Sequence, residues 1–403
     1  MKKLTVPIIL VIASACALLV LSFGLRSSFG LFVNDITQPN GWGREVISLS
    51  LAIQNLSWGI VAVFAGGIAD RFGSTKVIVG AAILYGLGIW FTAGVDSVWV
   101  LHGATGLLVG AGIAGTAFGI ILPAMARAVG PERRQWALGL GTAAGSFGQF
   151  LIVPIVQGLV DFSDWQTALH LMAVATLFMA LLAIPLAPYS GSAGTVENAV
   201  PDQTLTQALQ EALYHGSYWW LLAGFFVCGF NIAFITVHMP SFLQDLGFSA
   251  QIGAWSIAII GLFNVVGSYS SGIISGKWSM RQLLAWIYFA RAILVAVFIL
   301  LPPSLINVLI FSAMMGLLWL ATVPPTSGLI ALMFGTRYMS LLYGIVFLSH
   351  QLGSFSGVWL GGWLYDRYGS YDVVWWLSVG LALFAALAHL PIKEKPVDRL
   401  AYA

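Results

Sequence analysis

Twelve stretches of roughly 20 apolar residues run through this chain. They lie at about 7–33, 46–68, 75–94, 98–124, 136–158 and 166–187 and then, after one longer polar interval, at 217–243, 251–275, 281–301, 304–333, 339–362 and 372–391. About 20 residues of helix cross a hydrocarbon layer, and in lipid the backbone must satisfy its own hydrogen bonds, so such runs are read as spanning helices. Only 8% of the residues are charged and 59% are hydrophobic, against about 25% charged in a soluble domain. A water-soluble fold would have too little polar material to cover it. The opening stretch MKKLTVPIILVIASACALLVLSFG starts like a signal peptide, but its apolar run continues to Phe32, which predicts a retained first helix. The expected fold is an all-α membrane protein of twelve helices.

Several functions are excluded at this level. A net charge of +2 without a basic run argues against nucleic acid. Cys16 and Cys228 lie far apart inside apolar runs, read as buried thiols, and no zinc-type cluster exists, so neither metal nor cofactor is expected. GAGIAG at 110–115 satisfies the dinucleotide fingerprint, but it lies in a predicted membrane helix rather than after a strand, where close helix packing explains it.

With the amino terminus placed in the cytoplasm, 13 of the 17 Lys and Arg fall on the cytoplasmic side and only Arg44 and Arg367 on the outer side. The positive-inside rule then predicts a multi-pass protein of a bacterial-type inner (plasma) membrane with both termini cytoplasmic. The polar interval 188–216 reads as a flexible linker followed by a short amphipathic helix. Thr204 and Gln207 have capping-box spacing, Leu205, Leu209, Ala212 and Leu213 share a face, and Gly216 is expected to end it.

The chain repeats itself at an offset of 205 to 210 residues. LFVNDI ending at Asp35 matches SFLQDL ending at Asp245, and Gly106-Leu107-Leu108 matches Gly316-Leu317-Leu318. Gly130 and Gly139 match Gly335 and Gly344, and GSFG at 145–148 matches GSFS at 353–356. Six helices were duplicated. The division expected is a first six-helix bundle over 1–187, the linker over 188–216, a second bundle over 217–391 and a cytoplasmic tail over 392–403. Internal repeats of this kind are how secondary transporters build two bundles around a central site.

Between the second and third runs, GGIADRFGSTK resembles the G-x-x-x-D-R-x-G-x-x-[RK] signature of the major facilitator superfamily, with Gly66, Asp70, Arg71, Gly73 and Lys76 in register. The resemblance covers the whole chain. It implies two six-helix bundles, alternating access, action as a single chain, and a conformational gate at these five residues in which Asp70 and Arg71 latch the halves in one state. Two other superfamily signatures are broken: His102 stands where the fourth helix usually opens with arginine, and Gly145-Ser146 replaces the Gly-Pro pair of drug antiporters. FGLRSSFGLFVNDI with SHQLGSFSGVWLGGWLYDRYGSYD looks like the bacterial branch of monocarboxylate transporters and oxalate–formate exchangers. In those families the eighth helix commonly carries an arginine that grips the carboxylate; here FNVVGSYSSG offers Asn264 and Ser268 instead.

The ionisable groups in mid-helix are Arg26, His238, Arg291 and His350, and no acidic residue sits mid-span. An arginine at bilayer centre costs about 2.5–3.5 kcal/mol on the insertion scale, so it should face a cavity or a partner. With no fixed interior carboxylate, a bound anion is the partner expected for Arg26, whose guanidinium fork suits a carboxylate; the alternatives are snorkelling and bonding to helix carbonyls. Arg291 is read either as a second binding residue or as a packing arginine. His350 reads as an anion ligand or the carrier of a coupling proton, or else as a satisfied core histidine. His238 lies nearer the outer end, where hydrogen bonding to Gln244 or water competes with binding. Asn55 and Asn264 are placed near the site, and Trp319 is a candidate wall for an apolar tail.

The reaction expected is alternating-access transport of a small organic anion, a monocarboxylate, with proton symport, uniport and exchange all open. Export of an amphipathic or drug-like compound is the alternative within transport. A non-transporting solute sensor is the alternative outside it, and would call for a signalling part larger than the linker and tail. An enzyme is not expected, because no nucleophile, base and orienting group converge at one depth.

Overall fold

The computed structural model describes residues 7–129, 134–189, 204–335 and 338–397. The linker stretch 190–203, the end of the tail, Gly130, Arg133 and Arg337 lie outside the described residues. So does the side chain of Asp70.

Twelve helices among the described residues are long and apolar enough to span a membrane. They are α1 Ile8–Asn40, α2 Arg44–Ala69, α3 Ser74–Ala93, α4 Val98–Val129, α5 Ala137–Phe162 and α6 Trp165–Leu182, then α7 Gly216–Asp245, α8 Ala250–Ser275, α9 Met280–Leu300, α10 Leu305–Phe334, α11 Leu341–Tyr368 and α12 Asp372–His389. Each predicted run falls on one of these spans, α10 with a break between Leu318 and Val323. The surface helix Leu205–Tyr214 carries the predicted capping box, with both the Thr204 and the Gln207 bonds present. Gly216 does not end it: His215 is its cap and Gly216 begins α7. Its buried face is Ala208 and Ala212 with Leu209 half-buried, whereas Leu213 is exposed.

The helices form two six-helix bundles with the same internal pairing. In the first, α1 packs on α5, α2 on α4 and α3 on α6; in the second, α7 packs on α11, α8 on α10 and α9 on α12. The repeat glycines make this possible. A Cβ on Gly106 would fall 3.1 Å from the Ser50 carbonyl of α2, and one on Gly316 would fall 2.7 Å from the Ile260 carbonyl of α8. A Cβ on Gly148 would meet the Val20 carbonyl of α1, and one on Gly353 would meet the Phe226 carbonyl of α7. Helices without a hydrophobic drive to associate in lipid gain from such backbone proximity. The GAGIAG glycines serve the same purpose, Gly110 lying against Gln54 of α2 and Gly112 against Tyr85 of α3.

The bundles meet through α2 with α11, α5 with α8, and α1 with α7. Every contact between them named here lies in one half of the thickness. On α2 these contacts run from Arg44 and Glu45 through Ser48 to Trp58 and Gly59. On α5 they run from Asp161 to Ser146. The remaining turns of α2, about 20 Å of helix down to the Gly73 turn, carry none of these contacts. In those turns a Cβ on Gly66 or Gly67 would meet nothing within 4 Å, and Phe64, Ile68 and Phe72 are exposed, so the bundles part toward the end that holds the Gly73 turn and the surface helix. The tail crosses the same end, where the Lys393 amide donates to Ser217 Oγ at 3.0 Å and the Val397 amide to the Met333 carbonyl at 3.0 Å.

Candidate functional site

Arg26 sits at mid-span in α1, just before the backbone tightens into a 3-10 turn over Ser28–Phe32. Its Nη2 donates to Asn55 Oδ1 at 2.9 Å. Asn55 in turn donates from Nδ2 to the Leu51 carbonyl of its own helix at 2.8 Å, which turns the amide oxygen toward the arginine. The guanidinium carbon lies 4.8 Å from the centroid of the Trp58 ring, a cation–π distance. Arg26 Nε is buried without a hydrogen-bond partner. Among the described residues the one ion pair is Arg44–Asp245, so no carboxylate neutralises Arg26.

A second unpaired donor lies nearby on the opposite bundle. Gln351 of α11 packs against Gly59, whose Cβ would fall 2.9 Å from the Gln351 side chain, one turn from Asn55. Its Oε1 lies 3.2 Å from His350 Nδ1 and accepts from Ser354 Oγ at 3.4 Å, while its Nε2 is buried without a partner. Buried donors without acceptors are rare in folded proteins; here Arg26 contacts Asn55 and Trp58, and Gln351 contacts Gly59, within about one turn of α2. His350 is placed here too, its ring stacked on Phe347 at 5.8 Å and 4.9 Å from Phe225.

Aromatic rings surround this layer. Phe23 of α1 packs edge-on to Trp58 at 6.1 Å and stacks on Phe118 of α4 at 4.2 Å; Trp58 meets Phe347 of the other bundle edge-to-face at 5.3 Å. Sequence reasoning singled out Trp319 as the aromatic wall and missed these four. Trp319 is buried instead, at a break in α10.

That break also accounts for Arg291 and Asn264. α10 is helical up to Leu318 and resumes at Val323, which strands backbone groups in the bundle interior. Arg291 is fully buried and donates from Nη2 to the carbonyls of Leu318 and Trp319, and from Nη1 to Cys228 Sγ at 3.5 Å. Asn264 Oδ1 accepts the Leu320 amide at 3.0 Å, and its Nδ2 donates across to Ser146 Oγ of the first bundle at 2.9 Å. Irregular backbone at membrane depth survives only where such partners satisfy it. Asn264 thus sits where the bundles meet, while Arg291 lies behind it, inside the second.

His238 is placed away from Arg26. Its Nε2 donates to the Val358 carbonyl at 2.9 Å, which leaves Nδ1 to accept from Tyr371 Oη at 3.1 Å. Tyr371 Oη also accepts from Arg44 Nη1 at 3.1 Å. Arg44 is the centre of a latch between the bundles that the sequence did not reveal. It forks onto Asp245, lies 3.9 Å from the Tyr365 ring centroid, and gives its amide to Asp366 Oδ1 at 2.9 Å. The one available hint was the repeat itself, which pairs Asp35 with Asp245.

At the parted end, Gly73 adopts φ +95°, a conformation suited to glycine, and closes α2 through its amide to the Ala69 carbonyl at 2.8 Å. Arg71 and Lys76 are exposed, and a Cβ on Gly66 would touch nothing within 4 Å.

The family model described as Major Facilitator Superfamily matches residues 15–339. The chain belongs to that superfamily. It is therefore a multi-pass membrane transporter, and the relatives it matches are transporters rather than enzymes. It is 25% identical over 383 residues to the uncharacterised MFS-type transporter YcxA of Bacillus subtilis, covering 92% of this chain and 91% of that one. To monocarboxylate transporter 13 of Bos taurus it is 24% identical over 402 residues, covering 97% and 91%. Among solved structures, a bacterial homologue of the human lysosomal transporter Spinster, inward-facing and unoccupied, superposes with a TM-score of 0.77 at 14% identity, covering 94% and 95%. A D-xylose–proton symporter superposes with a TM-score of 0.72 at 18% identity, covering 96% and 98%. These structures share the superfamily fold.

Proposed function

We propose that this transporter carries a small organic anion, a monocarboxylate, across a bacterial-type inner membrane by alternating access. The observation that carries this is Arg26: a mid-span guanidinium held by Asn55 and Trp58, with its Nε buried and unpaired and, among the described residues, no carboxylate to neutralise it. A carboxylate is acceptor-only, so it would take the free N–H groups of Arg26 and the Gln351 amide together, and would supply the charge the interior lacks. The relatives named monocarboxylate transporters support the same substrate class.

The positive-inside count makes the parted end cytoplasmic, so the conformation is inward-open. The Gly66–Lys76 turn then stands on the open side, consistent with a gate that closes in the opposite state. Closure would bring α2 and α11 together below Trp58 and break the Arg44 latch, exposing Arg26 to the outside. His350, one residue from Gln351 and stacked on Phe347, would carry a coupling proton or hydrogen-bond the anion. His238, tied to Val358 and Tyr371, would report on the latch rather than touch substrate.

The test is uptake of labelled lactate, pyruvate, acetate and oxalate into proteoliposomes, with and without an inward proton gradient, for wild type, Arg26→Ala and His350→Gln. Saturable uptake lost in Arg26→Ala is expected, with gradient stimulation lost in His350→Gln. Uptake unchanged by Arg26→Ala would reject the anion anchor and favour export of an uncharged or amphipathic compound.

A further inference from the structure

We infer that the preferred substrate is an aromatic monocarboxylate, a carboxylate carried directly on or one or two carbons from a flat ring; this rests on the anion site proposed at Arg26. Of the contacts between α2 and α11 named above, Trp58–Phe347 and Gly59–Gln351 lie nearest the parted end. Four rings from both bundles converge there: Phe23, Trp58 and Phe118 from the first, Phe347 from the second. Phe23, Phe118 and Phe347 are half-buried rather than sealed in the core.

The arrangement is built into the backbone. Gly145 of α5 lies under the Phe118 and Phe23 rings, and a Cβ there would approach them to 2.8 and 3.3 Å. The same position is where drug antiporters carry the glycine of a Gly-Pro pair, and here its small size is used to seat two stacked rings. The Trp58 ring covers the guanidinium from the side of its carbon, at 4.8 Å, so the N–H edges are what remains for an anion. A carboxylate bound at those edges lies beside the Trp58 ring, which itself packs on Phe23 and Phe347. Rings meet best edge-to-face or offset at 4.5–7 Å between centroids, the spacing that Phe23–Trp58 and Trp58–Phe347 keep, at 6.1 and 5.3 Å, while Phe23 and Phe118 stack closer, at 4.2 Å. A flat ring can add to that pattern. Acetate or lactate would occupy the guanidinium and add no contact to the rings.

The experiment is titration of the purified full-length transporter with acetate, pyruvate, benzoate, phenylacetate and 3-phenylpropionate, and with benzamide as the uncharged control. The variants are Arg26→Ala, Trp58→Ala, Trp58→Phe and Phe347→Ala. Phenylacetate is expected to bind at least about tenfold more tightly than acetate, equivalent to about 1.4 kcal/mol. Phe347→Ala should shrink that ratio while leaving acetate within about twofold; Trp58→Ala, which also strips the ring from Arg26, should weaken the aromatic acids by more than it weakens acetate, and Trp58→Phe should restore most of both. Equal affinity for acetate and the aromatic acids in wild type, or equal weakening of both by Trp58→Ala, would overturn the aromatic specificity and leave the anion site standing. Benzamide binding as well as benzoate, with Arg26→Ala silent, would instead overturn the anion site and leave an aromatic one. Binding of none of the acids would overturn both.

Discussion

Arg44 and Asp245, the first residue of α2 and the last of α7, are joined by two hydrogen bonds of 2.7 and 2.6 Å, a fork-to-fork pair between the two bundles. Their side chains are 10% and 32% exposed, and the Tyr365 ring lies under the guanidinium. Charge-assisted bidentate pairs of this kind are strong and directional. This one exists only while the bundles are together at this end.

Arg44→Ala should therefore shift the population toward the state open at the α2 start. The loss is on the order of 1.5–3 kcal/mol, the range for hydrogen bonds to charged groups. Spin-label distances across that end would lengthen in the variant. The exchanged pair Arg44→Asp with Asp245→Arg should recover part of the closed population. Distances that stay the same in Arg44→Ala would show that packing alone holds the bundles together.

Asp366 supplies a second bond to the same helix end. Its two oxygens accept the amides of Arg44 at 2.9 Å and Glu45 at 2.7 Å, so a residue of α11 caps the first turn of α2. N-caps contribute about 0.5–2 kcal/mol. Asp366→Ala should produce a smaller shift than Arg44→Ala in the same distance measurement, and Asp366→Asn, which keeps one acceptor, a smaller shift still.

Two glycines should respond in opposite ways. A Cβ on Gly353 would collide with the Phe226 carbonyl of α7, and rigid backbone cannot move aside cheaply, so Gly353→Ala should lower the melting temperature by several degrees. Gly66 has open space around it, so Gly66→Ala should hold or raise the melting temperature, since alanine favours helix by about 1 kcal/mol. Any transport defect in Gly66→Ala would then belong to the gate. Thermal unfolding followed by tryptophan fluorescence separates the two effects.

His215 links pH to the join between surface helix and α7. Partial burial, and secondly the nearby Lys393 ammonium, hold its imidazole below the ordinary histidine value. The folded form thus resists protonation more than the unfolded one. Its contribution to stability is present at pH above the ordinary value, near 6.5, and falls as acid protonates the unfolded chain preferentially. Between pH 7.5 and 5.5 the wild type should lose more thermal stability than His215→Gln. Parallel slopes for the two would remove His215 as a source of the dependence.

Arg26 was legible in the sequence because an arginine in an apolar run without an acid to pair with is conspicuous wherever it folds. The repeat was legible for a similar reason, since glycines such as Gly106 and Gly316 recur in register and each meets a neighbouring backbone. Arg291 stayed open between two roles because nothing local announces that α10 breaks at Trp319 and leaves carbonyls for an arginine of α9 to satisfy. Gly216 misled because a glycine after an amphipathic stretch signals a helix end, whereas here it begins the next helix. The Arg44 latch was invisible, its partners lying 201 residues or more away along the chain.

By itself, the sequence determined the twelve spans and their duplication. In lipid each helix must satisfy its own backbone, so a span depends on about 20 residues of local composition and on little else. Which polar and aromatic groups meet was decided only by the tertiary structure. Phe347 reaches Trp58, Asp366 caps α2 and Gln351 lies against Gly59 because the two bundles are docked at one end. That docking is a relative placement of rigid bodies, and no local stretch of either bundle encodes it.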